Sequence, residues 1–157
     1  MQCVSNHTEP IFIFETHPVQ YRAPVYMELQ TLKPNSFRVF YASDCSVRGH
    51  LDREFQKEIS WDSPLLEGYP CTVLHNEHGQ PLTTWASLNG RGIFSLLKKH
   101  RPRAIILCQF NYAYSVAAYL SAIMLRIPIW IRMETQDNAF QRSKRADFVR
   151  SCLYRML

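Results

Sequence analysis

The amino-acid sequence predicts an α/β domain: an open parallel sheet with helices on both faces. Two observations carry this. Short apolar runs alternate along the chain with segments of helical spacing, and a polar cassette follows several of the runs. A third is the run Arg103–Cys108, continuously apolar after its first residue, as parallel strands buried on both sides are.

Taken in order, Ile11–Phe14 is too short for a helix and reads as a buried strand. Pro24 suits a first helical position, and Val25, Leu29 and Leu32 follow at i, i+4 and i+7 until Lys33-Pro34-Asn35 ends the helix. Phe37–Ala42 is the second strand. Ser43 to Pro70 lacks periodicity and reads as an irregular excursion laid over the crevice, pinned by Trp61 and Leu65-Leu66. Cys71–His75 is a third strand. Ile93, Leu96 and Leu97 form a helical stripe, and Lys98-Lys99-His100-Arg101 sits where cations complement a helix C-terminus. The fourth strand is Arg103–Cys108. Tyr112–Leu125 is apolar and small on nearly every side and is expected to be buried, and Ile127–Ile131 is the fifth strand.

From Arg142 to Leu157 a last helix carries Phe148, Val149, Cys152, Leu153, Met156 and Leu157 on one face and arginines elsewhere. It has no cap and no following strand. The expectation is therefore one domain, 1–157, incomplete at its C-terminus. The order β-α-β-excursion-β-α-β-α-β-α implies a parallel sheet with helices on both faces.

Composition narrows the function classes. The 157 residues carry a net charge of +5, which admits anionic partners without choosing one. The charge is spread over many elements and not interleaved with aromatics on one, so nucleic acid is not expected. Five glycines are too few for repeated phosphate cradles, and the loop after the first strand has none, which argues against a dinucleotide cofactor. The five cysteines are scattered, with no C-x-x-C, and read as free thiols of a cytoplasmic protein. No secretory leader or spanning segment is read: Arg126 and Pro128 break the longest apolar region. His75 and His78 lack partners at metal-ligand spacing, so no metal is expected.

Three polar sets follow strands and should meet at the C-terminal edge of the sheet. They are Glu15, His17, Gln20, Tyr21 and Arg22 after the first strand, Gln109, Asn111 and Tyr112 after the fourth, and Arg132, Glu134, Gln136 and Asp137 after the fifth. Amides, phenols, an imidazole and a guanidinium offer directional hydrogen bonds of the kind a hydroxyl-rich ligand needs. His17 is the candidate base at the crevice, with capping of its loop as the plainer alternative. Trp61-Asp62 either stacks on a sugar or anchors the excursion. Arg132 and Glu134 either bind ligand or pair with each other.

Thr16-His17-Pro18-Val19-Gln20-Tyr21-Arg22-Ala23-Pro24 resembles the opening of one branch of the family 4 glycosyltransferases. Trp61-Asp62-Ser63-Pro64-Leu65-Leu66-Glu67-Gly68-Tyr69 resembles that branch's Trp-Asp-x-Pro-Leu-Leu-x-Gly-Tyr segment. Asn111-Tyr112 and Arg132-Met133-Glu134 stand where the family places crevice residues, although relatives often have glycine at the position of Met133. The resemblance runs from about Ile11 to about Leu153.

It implies a Rossmann-like N-terminal half of a GT-B fold, the acceptor-side domain of a retaining, metal-free enzyme. Such an enzyme moves a sugar from a nucleotide-sugar to a polysaccharide or glycolipid. The donor-binding domain, with its Glu-x7-Glu motif, is absent, and no two glutamates here are eight positions apart. The resemblance thus implies substrate-binding roles for His17, Gln20, Tyr21, Trp61, Asp62, Asn111, Tyr112, Arg132 and Glu134, and a fragment inactive alone. A basic terminal helix adds the expectation of peripheral contact with the inner face of a membrane. The alternative is a non-catalytic binding module derived from such a domain.

Overall fold

The computed structural model describes residues 9–47, 50–52, 57–59, 64–74, 85–108, 110, 112–132 and 151–152. The elements are β1 (Ile11–Glu15), α1 (Ala23–Leu32), β2 (Phe37–Tyr41), β3 (His50–Asp52), β4 (Lys57–Ile59), β5 (Cys71–Val73), α2 (Ile93–His100), β6 (Ile105–Cys108), α3 (Ala113–Leu125) and β7 (Ile129–Arg132). Five strands form one sheet in the order β5-β2-β1-β6-β7, and every pairing in it is parallel. This is the α/β, Rossmann-like open sheet that the strand and helix spacing predicts.

Alternation along the strands divides the core between two faces. Phe12, Phe14, Phe40, Ile105 and Leu107 pack with Ile93 and Leu97 of α2 and Tyr114, Ala118, Tyr119 and Ala122 of α3. Ile13, Val39 and Tyr41 project to the other face, against Ala23 and Tyr26 of α1 and against Leu65 and Tyr69. The chain leaves β1 toward β2 on one side and later enters β6 on the other, so the order reverses between β1 and β6. A ligand crevice in an open α/β sheet opens at the carboxyl ends of such a strand pair.

The structure corrects three expectations. In α1 the stripe Val25-Leu29-Leu32 is not the buried one: Val25 is 60% and Leu32 66% exposed, while Ala23 and Tyr26 are buried. Tyr26 turns the helix, because its hydroxyl reaches a carboxylate at the end of β1 while its ring stays in the core. The excursion is not wholly irregular, since β3 and β4 pair as a small antiparallel sheet; strands of three residues are too short to show a period in sequence. Nor is α3 buried all round. Tyr114, Ser115, Ala118, Tyr119, Ser121 and Ala122 face inward, but Met124 is 71% exposed and Leu120 and Ile123 share its side. The sheet and α2 cover one flank of α3, and small residues serve close approach there only.

Leu65 does pin the excursion, whereas Trp61 lies outside the described residues. Past it, Gly68 takes φ +79°, a turn that side chains resist, and returns the chain to the core at Tyr69. The Tyr41 hydroxyl lies 2.8 Å from that of Tyr69, which donates to the Leu65 carbonyl at 2.5 Å. Tyr41 therefore donates to Tyr69, and the relay ties the excursion to β2. Tyr69→Phe should cost about 1–2 kcal/mol, because it strands both a buried hydroxyl and a carbonyl. Tyr41→Phe removes only the outermost donor and should cost less. Urea titrations giving the reverse order would show that the relay does not hold this segment.

Arg101 ends α2 in a left-handed conformation and donates to the Leu125 carbonyl at 2.8 Å, so its charge also serves the C-terminus of α3. No helix among the described residues is long and apolar enough to cross a membrane. Of the terminal amphipathic segment only Ser151 and Cys152 are described, both helical and exposed. Cys152, which the spacing puts on the apolar stripe, is exposed; the rest of the stripe lies outside the described residues.

Candidate functional site

Glu15 closes an apolar strand, and alternation puts it on the face shared by Ile11 and Ile13. It is 1% exposed. A carboxylate there needs partners, and three elements supply them. Arg22, at the entry to α1, forms an ion pair with Oε2, and the Tyr26 hydroxyl of α1 donates to Oε1. Arg132, the last residue of β7, donates from Nη2 to the same Oε1 at 2.5 Å. The Arg132 Nη2 also lies 3.1 Å from Cys108 Sγ, at the end of β6. One buried carboxylate thereby joins the carboxyl ends of β1, β6 and β7 to the first turn of α1.

Burial, and then the Glu15 carboxylate beside it, push the Tyr26 phenol far up, so it stays a neutral donor. Burial, with Glu15 next, raises the Cys108 thiol to about 12. Cys108 should therefore resist alkylation at pH 8, since the thiolate is the nucleophile and forms only as pH approaches that raised value. Exposed Cys152 should label under the same conditions, and both should label in urea. Peptide mapping that finds native Cys108 modified would mean the strand end opens to solvent. Cys45, Cys71, Cys108 and Cys152 are all free thiols, and Cys3 lies outside the described residues.

The loop between Glu15 and α1 is held from both sides. Arg22 N–H and Ala23 N–H donate to the Val19 carbonyl at 3.1 and 3.2 Å, forming the turn that starts α1. From the exit of β2, Ser43 N–H donates to the Thr16 carbonyl at 3.0 Å, and buried Ser46 Oγ donates to the Pro18 carbonyl at 2.6 Å. His17 Nδ1 is hydrogen-bonded to Thr16 Oγ1 at 2.9 Å, the donor depending on the imidazole tautomer. Tyr21 is exposed, with the Arg22 guanidinium carbon 5.5 Å from its ring centroid. Tyr112 precedes α3, where burial and then the nearby Cys45 raise its phenol.

Among the expected site residues, His17, Gln20, Tyr21, Tyr112 and Arg132 come to one end of the sheet, the carboxyl end of the β1/β6 reversal. Trp61, Asp62, Asn111 and Glu134 lie outside the described residues, as do Gln109, Gln136 and Asp137. Arg132 reaches Glu15 across the sheet; the expected alternative, a pairing with Glu134, falls on a residue outside the described ones. Glu15 itself reads in sequence as a crevice residue. A carboxylate in phase with Ile11 and Ile13 was the available signal that it is buried instead. Two arginines and a phenol occupy the oxygens of Glu15, which ties these three side chains to the end of β1.

No family model, curated protein or solved structure matches this chain.

Proposed function

We propose that this chain is the acceptor-side domain of a retaining glycosyltransferase, holding the hydroxyls of a polysaccharide or glycolipid acceptor at the carboxyl ends of β1, β6 and β7. The supporting observation is the glycine-free loop after β1, which presents His17, Gln20 and Tyr21 from a fixed backbone at the sheet's reversal point. Without a glycine cradle, the loop suits hydroxyls better than a pyrophosphate. In this reading His17 contacts the acceptor hydroxyl and serves as a weak base, while Tyr112 and Arg132 orient the sugar. Stabilising the departing nucleoside diphosphate is the work of a donor-side domain, so this chain alone binds acceptor without transferring sugar.

Calorimetry of the purified chain tests this reading. Saccharides should bind saturably, NAD should not, and His17→Ala should weaken saccharide affinity about tenfold, the loss of one well-placed hydrogen bond. Tight NAD binding without saccharide binding would replace this reading with a dinucleotide-binding one. Turnover of a nucleotide-sugar by the chain alone would remove the division of labour between domains.

A further inference from the structure

Trp85 is 57% exposed, yet its backbone is firmly held. Its carbonyl accepts from the N–H of Ala113, the first residue of α3, at 2.9 Å. Three residues on, the Leu88 carbonyl accepts from Tyr114 N–H at 2.9 Å, and Leu88 is buried in the core against α2 and α3. The turn carrying the indole is therefore fastened to the start of α3, beside the carboxyl end of β6. On the other face of the sheet, Tyr21 offers a second exposed ring from the loop after β1, beside an Arg22 that Glu15 holds in place. Two aromatic rings on fixed supports thus flank the β1/β6 reversal, Trp85 on the α2–α3 side and Tyr21 on the α1 side.

A pyranose ring has one face made largely of C–H groups, and such a face stacks on an indole while the hydroxyls at its rim stay solvated or hydrogen-bonded. Trp and Tyr supply large, rigid contact area, and a backbone already fixed loses little entropy on binding. We propose that Trp85 is the stacking platform of a second sugar subsite, adjoining the polar residues after β1, β6 and β7. A glycan of two or more rings then engages both. This rests on the carbohydrate reading above and specifies its substrate class: a chain of sugars, not a free monosaccharide. Trp130, 58% exposed on edge strand β7, has the same exposure without that placement and is the internal control.

The full chain is titrated calorimetrically with the mono-, di- and tetrasaccharides of β1,4-linked N-acetylglucosamine, α1,4-linked glucose and α1,3-linked mannose. In the series that binds, the longer members should bind more tightly than the monosaccharide. Trp85→Ala should cut tetrasaccharide affinity about tenfold, to near the monosaccharide value, and leave the monosaccharide unchanged. Trp85→Phe should keep most of the affinity, and Trp130→Ala should alter nothing. If Trp85→Ala leaves all affinities as in wild type, or lowers mono- and tetrasaccharide alike, the second subsite is wrong and the carbohydrate reading stands. If no saccharide of any series binds the wild-type chain, both fall together.

Discussion

Glu15→Gln should destabilise the domain by about 3–5 kcal/mol, the range found when one partner of a buried ion pair is removed. The change keeps the shape of the side chain, removes its charge and puts an NH2 donor in place of one acceptor oxygen. Two guanidiniums, one of them with a side chain only 12% exposed, then face an amide in a poorly solvated site. Domains of this size are stable by only ~5–15 kcal/mol, so the loss is a large share of the total. Removing either arginine should cost less, because Glu15 keeps the other. Arg132→Met should cost the least, about 1 kcal/mol, since the Arg132 side chain is 35% exposed and water screens part of its interaction. Urea titrations of Glu15→Gln and Arg132→Met decide the matter. If Glu15→Gln were no worse than Arg132→Met, Glu15 would not be the centre of this cluster. On the proposed acceptor-binding reading, Glu15→Gln should also lower saccharide affinity, because Arg22, Arg132 and the turn before α1 meet at this carboxylate.

Gly90→Ala is the second large effect expected, and its cause is steric. A Cβ at position 90 would fall far inside van der Waals contact of the Cβ of Ala117. That methyl is rigidly attached to α3 and cannot rotate away, so the turn before α2 and α3 must separate. Overpacking of this kind costs about 1–3 kcal/mol, and the rigid neighbour places Gly90→Ala at the upper end. The Gly90 carbonyl also accepts from Ile93 N–H at 3.2 Å where α2 begins, so a shift there loosens the helix start as well. Ala117→Gly alone should cost about 1 kcal/mol, the usual effect of glycine inside a helix. Combining the two should restore part of what Gly90→Ala loses, because the clashing methyl is gone. A double variant as unstable as the sum of its singles would show that the two positions do not meet.

Most of the sheet was legible in the residues because its strands are marked locally. Ile11–Phe14, Phe37–Ala42 and Arg103–Cys108 are apolar runs flanked by turn residues, and each became a strand of the parallel sheet. The stripe Ile93-Leu96-Leu97 packed as its spacing requires, and Lys98, Lys99 and His100 fell in the last turn of α2. Convergence of the post-strand loops at one edge followed from the parallel arrangement alone. The faces of α1 and α3 were less legible. Several apolar stripes fit one helix, and only the neighbouring surfaces choose among them.

What the sequence determined by itself is therefore the alternation of strands and helices, the glycine-free loop after β1, and the edge to which the polar residues come. Periodicity and turn chemistry act over a few positions, so they can be read without the fold. Tertiary structure alone decided that Glu15 is buried, that Arg132 reaches it from 117 positions away, and that Tyr26 and not Val25 or Leu32 turns inward. It also decided that Trp85 stands at the start of α3. These outcomes depend on which strands become neighbours, and a carboxylate's partner is settled by desolvation at the place where the chain brings charges together.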